Sequence, residues 1–209
     1  HVEICEDLWV PIPPSRLAAL AGATILSNLS ASNITIGKAD YRRQLVGISS
    51  GSNNAIQLYS AAGYGESTTD LCWDGQGLIA ERGMILAESP RFFRQGSLII
   101  ADVDLEVIRG DRSRQSSQHQ NASDIFRLIG QGSGSFFRTV RAELPRLPSA
   151  AYDRLERVVD PTPFVPSDPL QRDVRCREVF DIQTQGLARR LESLPANQRR
   201  IVLGLSGGQ

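Results

Sequence analysis

Cys5 is the residue of this sequence best placed to act as a nucleophile. It follows the apolar run "HVEI" and is followed by the acids Glu6 and Asp7. A strand holds a thiol at its end rigidly, and the backbone N–H groups of the next turn can stabilise an oxyanion. The same pattern also fits a small buried side chain before a solvated acidic turn, since free cysteines are commonly buried hydrophobes.

A second group suited to chemistry lies at the other end of the chain. Ser206, Gly207 and Gly208 follow the apolar run "IVLGL". Glycines allow the backbone to approach a ligand closely, and N–H groups at the start of a helix point toward an anion. Taken alone, these residues form an ordinary glycine turn. After a strand, they indicate the beginning of a phosphate-binding loop.

The remaining cysteines and histidines do not form a metal-binding pattern. Cys72 and Cys176 have no partner at metal-ligand spacing, and the two histidines, His1 and His119, lie far apart. We therefore expect no zinc or other metal site, and both cysteines are predicted to be packing residues. Three widely spaced cysteines fit a reducing cytosol better than a disulfide framework, which predicts a cytoplasmic protein.

Composition excludes several classes of partner. The chain has 209 residues, 41% of them hydrophobic, and its 23 Lys+Arg balance 23 Asp+Glu. A net charge of zero gives no field that would favour nucleic acid or an anionic membrane. No apolar run approaches the roughly 18 residues that span a bilayer. The chain does not begin with Met and stops at the glycine turn, so we expect it to be part of a longer protein.

Residues 1–107 predict the α/β elements that position Cys5. Strand patterns alternate with helix patterns, which is typical of a layered α/β domain. Two apolar runs split by Glu81, Arg82 and Gly83 predict a β-hairpin, and Leu45, Val46 and Ile48 are predicted to share one helical face. The predicted strands are "HVEIC", "TILSNLS", "AIQLYSAA" and "GSLIIADVDL", and the predicted helices are "PPSRLAALAGA" and "KADYRRQLVGISSG".

The rest of the chain divides into a linker and a second α/β beginning. Residues 108–166 are polar and then proline-rich, which predicts an extended linker. Asp168 and Pro169 predict the start of a long helix that ends at Pro195, and a strand into Ser206 should follow. The amphipathic stripe of that helix comprises Cys176, Val179, Phe180, Gln183, Leu187, Leu191 and Leu194.

Several motifs together resemble a known family. "EICEDLW" followed by "GATILSNLSAS" is similar to the nitrilase, or carbon–nitrogen hydrolase, superfamily around its catalytic cysteine. "NLSAS" and "GESTTDLCWDGQGLIAERGMIL" resemble more narrowly the glutaminase domain of the glutamine-dependent NAD+ synthetases. "FVPSDPLQRDVRCREVFDIQTQGLARRLE" and "LGLSGG" resemble the entry into their synthetase domain and its pyrophosphate loop. The motifs follow the order of the family along essentially the whole chain.

The resemblance implies a fold and a division into domains. Residues 1–107 would form the C-terminal half of a nitrilase-like α-β-β-α sandwich. Residues 108–166 would be the interdomain linker, and residues 167–209 would begin a Rossmann-like, ATP-binding synthetase domain. The loop "GESTTDLCWDGQG" is either a binding loop or a structural turn near subunit contacts, since the family forms homo-oligomers.

The resemblance also implies residue roles in the glutaminase site. Cys5 matches the nucleophile, and the backbone N–H of Glu6 would help to hold the oxyanion. Glu6, Ser32 and Lys38 match the positions that contact the α-amino and carboxylate groups of glutamine. Ser32 also fits a turn cap, and Lys38, like Trp9, also fits a plain surface or packing residue.

The family's catalytic Glu and Lys should precede the cysteine, where this chain has four residues, and Glu3 is not assigned as the base. We therefore expect the 209-residue chain alone not to hydrolyse glutamine. Because its sheet would have open edges and an incomplete core, we also expect it to be poorly stable.

At the other end, Ser206, Gly207 and Gly208 match the loop that grips the pyrophosphate of ATP. The implied substrates are glutamine, ATP with Mg²⁺ as its counter-ion, and nicotinic acid adenine dinucleotide, which is amidated to NAD+. One alternative is a stand-alone nitrilase-type amidase, which would not need a nucleotide loop. The other is a non-catalytic α/β interaction module, which the missing Glu and Lys would favour if the chain were complete.

Overall fold

The computed structural model describes residues 1–66, 69–130, 132, 136–143, 155–159, 165–166 and 168–204. The chain divides into two compact units, residues 1–158 and 159–209. Among the described residues, the first unit contains a five-stranded sheet with helices, and the second contains a long helix. None of the helices in the described part of the chain is long and apolar enough to cross a membrane.

The sheet of the first unit has the strand order β1-β2-β3-β4-β5. The first three strands are parallel, with Ile4 opposite Leu29 and Leu29 opposite Ser60. The last two strands are antiparallel to their neighbours and form the predicted hairpin. The strands are β1 Val2–Ile4, β2 Ile25–Ser30, β3 Ile56–Ala61, β4 Gly77–Glu81 and β5 Met84–Glu88.

Four α-helices of the described residues belong to the same unit. Pro14 begins α1, where a proline is favoured because its missing N–H would have no helical partner, and Gly22 ends the segment with φ 106°. The fold is thus mixed α/β, as predicted. The helices are α1 Pro14–Leu20, α2 Lys38–Ser52, α3 Leu105–Arg114 and α4 Ser116–Ile129.

The core lies between α2 and one face of the sheet. Val46 of α2 is fully buried and joins one buried cluster with strand residues Tyr59, Leu78 and Ala80 and with Leu8. The predicted helical face was partly wrong, because Ile48 is 64% exposed. The buried positions of α2 instead include a charged residue, Arg42.

The segment after β5 departs from the prediction of a further strand. Residues 96–104 carry no regular structure, and Leu98 and Ile100 are 84% and 66% exposed. The segment lies over the sheet instead of extending its edge, since a Cβ added at Gly77 of β4 would lie 3.4 Å from Ile99 Cδ1. An apolar run that covers a sheet face has the same composition as one that pairs at its edge.

The first part of the predicted linker is helical. Asp104 accepts a hydrogen bond from Val107 N and caps α3, while Ile108 of α3 and Phe126 of α4 are buried. Arg112 of α3 also donates to the carbonyl oxygens of Ala23 and Asn54, at 2.7 Å and 2.8 Å. The division of the chain at residues 107 and 166 stays a prediction.

The second unit contains the predicted long helix, α5, Pro169–Glu192. The Asp168 side chain accepts a hydrogen bond from Leu170 N at 3.1 Å and caps it, as expected. Residues 201–204 carry no regular structure where a strand was predicted. The predicted ATP-binding residues Ser206, Gly207 and Gly208 lie outside the described residues.

Candidate active site

Cys5 lies where β1 ends and a tight turn begins. It starts the 3-10 helix Cys5–Trp9 with φ 49°, a left-handed conformation that non-glycine residues seldom adopt. Asp7 Oδ2 accepts a hydrogen bond from Ile4 N at 2.9 Å, and Leu8 anchors the turn in the core. Such backbone strain often accompanies a functional residue, because the surrounding structure must enforce it.

The end of β2 supplies the nearest neighbours of Cys5. Asn28 Nδ2 donates to the Cys5 carbonyl oxygen at 3.2 Å, and Ser30 Oγ donates to Cys5 Sγ at 3.7 Å. Ser30 Oγ in turn accepts from Ser32 N at 3.3 Å. The thiol is therefore connected through one hydroxyl to the residue predicted to bind glutamine.

The loop that carries Ser32 is fixed from several sides. Arg42 Nη2 donates to the Ser32 carbonyl oxygen at 2.6 Å, and Lys38 Nζ donates to the Asn33 carbonyl oxygen at 2.7 Å. Trp73 Nε1 donates to the Ala31 carbonyl oxygen at 2.7 Å. Since Trp73 comes from the loop "GESTTDLCWDGQG", these contacts favour a structural role for the described part of that loop.

A buried ion pair stabilises the loop that carries Ser32. Arg42 Nη1 lies 2.7 Å from Asp74 Oδ1, and both side chains are 0% exposed. Arg91 Nε lies 2.8 Å from the other carboxylate oxygen of Asp74. Burial raises the pKa of Asp74, but the hydrogen bonds and charges of Arg91 and Arg42 outweigh it, so the net pKa is lowered. Asp74 is thus ionised and compensates the buried guanidinium.

Lys38 lies beside an aromatic pair near the cysteine. Its Nζ is 5.5 Å from the centre of the Trp9 ring, and Trp9 stacks on Tyr41 with 5.3 Å between ring centres. Burial, followed by the charge of Arg42, lowers the pKa of Lys38, while the charge of Cys5 acts in the opposite direction. The amine is therefore within electrostatic range of the Cys5 thiol.

The structure brings together three of the four predicted glutaminase residues through direct or shared contacts. Cys5 and Ser32 are linked through Ser30, and Lys38 reaches the Ser32 loop through Asn33. Glu6 follows Cys5 in the turn, and its side chain is exposed. The predicted roles of these residues remain predictions.

Glu3 precedes this group and has a structural environment. It is 3% exposed, and its Oε2 accepts a hydrogen bond from Ser15 N at 3.0 Å. Burial raises its pKa, which the hydrogen bonds of Ser15 only partly oppose. The carboxyl group therefore connects β1 to α1, and its burial disfavours the charged form.

We expect Glu3→Gln to stabilise the first unit at neutral pH. The pKa of Glu3 in the folded state lies above that in the unfolded state, so the folded state binds more protons and the wild type loses stability as the pH rises through this range. Glutamine retains an acceptor for Ser15 N without the charge. Urea denaturation at pH 4 and pH 7 should show an advantage of Glu3→Gln that grows with pH. An advantage independent of pH would contradict this explanation.

The structure also bears on the remaining cysteines and on metal binding. Cys72 and Cys176 are free but exposed, so the prediction that they are packing residues was wrong. Cys72 lies in an irregular loop, and Cys176 lies on α5, in which no residue is buried. Within the described ranges, no group of three or more His, Cys, Asp or Glu side chains could hold a metal ion.

Sequence comparison places these residues in a known context. No protein-family model matches the chain. It is 46% identical over 208 residues to the glutamine-dependent NAD(+) synthetase of Mycobacterium leprae (strain TN), a match that covers 100% of this chain and 29% of that relative. The human glutamine-dependent NAD(+) synthetase is 34% identical over 122 residues, covering 58% of this chain and 17% of the relative.

The chain is also similar to a solved structure. The carbon-nitrogen hydrolase from Helicobacter pylori G27 matches 62% of this chain and 48% of its own chain, with 17% identity and a TM-score of 0.49. The mycobacterial match runs through the whole chain, which spans 29% of the length of that relative. The resemblance indicated by the motifs is therefore confirmed.

Proposed function

We propose that this chain, a relative of the glutamine-dependent NAD(+) synthetases along its whole length, provides the cysteine side of a glutaminase site. The observation that carries the proposal is the environment of Cys5: a strand end, a left-handed backbone and a thiol that accepts a hydrogen bond from Ser30. Its sequence relatives are named for their dependence on glutamine. A nucleophilic cysteine can account for such a dependence, because its thiolate can attack the amide carbon of glutamine.

In this reaction Cys5 Sγ attacks the side-chain amide carbon of glutamine. A C–S bond forms, the C–N bond breaks, and the amide nitrogen takes up a proton and leaves as ammonia. Water then hydrolyses the glutamyl thioester to glutamate and restores the thiol. The backbone N–H of Glu6 stabilises the oxyanion that forms at the amide oxygen.

The charges around Cys5 suit the two ends of the substrate. Lys38 carries a positive charge toward the α-carboxylate, and the exposed Glu6 carboxylate can receive the α-ammonium group. The Ser32 main chain is engaged on both sides, by Ser30 and by Arg42. Its hydroxyl is therefore the group of Ser32 that is left to bind glutamine.

The second unit belongs to the ammonia-consuming half of the proposed enzyme. There, Ser206, Gly207 and Gly208 bind the pyrophosphate of ATP, with Mg²⁺ as its counter-ion. ATP activates nicotinic acid adenine dinucleotide as its adenylate, and ammonia displaces AMP to give NAD+. The whole enzyme is a homo-oligomer, and the free state of the three cysteines supports a reducing, cytoplasmic location.

Protection of Cys5 from alkylation tests the proposal on the chain itself. In a Cys72→Ser/Cys176→Ser background, iodoacetamide can label only Cys5, since the chain has three cysteines. Glutamine should slow this labelling in a saturable manner, because it covers the thiol, and Lys38→Ala should weaken the protection. D-glutamine is the matched control ligand. Equal labelling rates with and without L-glutamine would refute the assigned site.

A further inference from the structure

Ser30 has no assigned role in the proposed reaction, although it contacts the nucleophile. We propose that Ser30 is a positioning residue that orients the Cys5 thiol and favours its thiolate form, which deepens the proposed function and rests on it. The inference starts from the sheet register. Because Ile4 lies opposite Leu29 in a parallel pair, Cys5 and Ser30 follow at the same edge of the sheet.

The hydroxyl of Ser30 has a defined direction. Its oxygen accepts a hydrogen bond from Ser32 N at 3.3 Å, and an N–H group can only donate. One lone pair of the oxygen is therefore occupied. The hydroxyl hydrogen can be donated to Cys5 Sγ at 3.7 Å, and the Tyr59 hydroxyl, which also hydrogen-bonds with Ser30, can donate to the remaining lone pair. Ser30 is only 5% exposed, so water does not compete freely for this hydrogen.

A hydrogen bond donated to the sulfur stabilises its charged form. Donors favour the ionised state of an acid more than its neutral state, and the thiolate is the nucleophilic form of cysteine. Ser30 therefore both selects the orientation of the thiol and increases its reactivity, although it does not touch the substrate.

The same hydroxyl connects the nucleophile to the glutamine-binding loop. The N–H of Ser32 holds Ser30, and the carbonyl group of Ser32 is held by the buried Arg42 at 2.6 Å. Any ligand that moves the Ser32 peptide changes the hydrogen bond that the Ser32 N–H donates to Ser30 Oγ. The reactivity of Cys5 thereby depends on the position of the loop that carries Ser32.

The pH dependence of Cys5 alkylation tests this role. In the Cys72→Ser/Cys176→Ser background, Ser30→Ala should lower the iodoacetamide rate at pH 7 by about fivefold, the effect of one ordinary hydrogen bond. It should also move the midpoint of the rate profile to higher pH. Ser30→Thr keeps the hydroxyl and should restore both. Ser27→Ala, in the same strand, is the matched control and should change neither.

Each result decides between defined alternatives. An unchanged profile in Ser30→Ala would overturn the inference, as would an equal change in Ser30→Thr, because the hydroxyl would then be irrelevant. Protection by glutamine in the background protein reports separately on the proposed function. A shifted profile without protection contradicts the glutaminase site alone, and protection with an unchanged profile contradicts the role of Ser30 alone.

Discussion

Replacing Cys5 with alanine is expected to abolish glutamine-supported NAD+ synthesis while leaving ammonia-supported synthesis intact. In a full-length synthetase that contains this segment, the loss should be at least about 1,000-fold, since removal of a covalent nucleophile typically costs this much or more. The physical reason is that the thioester cannot form without the sulfur. Ammonia added to the solution bypasses that step.

The comparison of the two nitrogen sources separates chemistry from folding. A variant that fails to fold loses both activities, whereas loss of the nucleophile affects only the glutamine-dependent one. Cys72→Ala removes an exposed thiol and serves as the matched control, with both activities expected near the wild-type level. Glutamine-dependent turnover by Cys5→Ala would contradict the assignment of the nucleophile.

Replacing Asp74 with alanine is expected to cause the largest loss of stability. The substitution leaves the fully buried Arg42 without its partner carboxylate. Breaking a buried ion pair from one side typically costs about 3–5 kcal/mol, because the remaining charge stays desolvated. The loop that carries Ser32 should loosen as well, since Arg42 holds its carbonyl oxygen.

Urea denaturation of the chain measures this effect against a surface control. Asp40 pairs with Arg43 at the surface, where its side chain is 74% exposed. Asp40→Ala should therefore cost no more than about 1 kcal/mol. Similar losses in the two variants would show that burial of the Arg42–Asp74 pair has no energetic consequence.

The loss of stability in Asp74→Ala should depend on pH in a defined direction. Arg91 and Arg42 lower the pKa of Asp74 below its ordinary value of 3.8, despite the opposing effect of burial. The stabilisation is thus complete above that ordinary value and is lost as the pH falls through the lower pKa of the folded state. The difference between wild type and Asp74→Ala should accordingly shrink in acid.

Local patterns were sufficient to predict much of the α/β framework. The strand before Cys5, the hairpin at Arg82 and Gly83, and the Asp168 cap of α5 are all present. Each depends on residues close together in the chain: an apolar run, a turn pair or a cap. The same local information failed for residues 96–104, where the alternatives differ only in what the segment contacts.

The neighbours of Cys5 could not be predicted in the same way. Ser30 is 25 residues away in sequence, and the contact depends on the parallel register of β1 and β2. Arginine is a residue type expected at a solvent-exposed helix position. Arg42 is nevertheless fully buried, because Asp74 compensates its charge. The available signal for the contact between Ser30 and Cys5 was a parallel pairing of the strand in residues 1–5 with the strand in residues 25–30, together with the motif "NLSAS".

The sequence by itself determined the family resemblance and much of the α/β framework, and it predicted the type of chemistry and its place in the chain. A cysteine after a strand, family motifs in their order and the capped helices follow from residue identity and short-range spacing. Only the tertiary structure decided which hydroxyl contacts the thiol, which side chain holds the loop that carries Ser32, and which charged pair lies in the core. These contacts depend on strand register and on the compensation of buried charge, and both arise between residues that are distant in sequence.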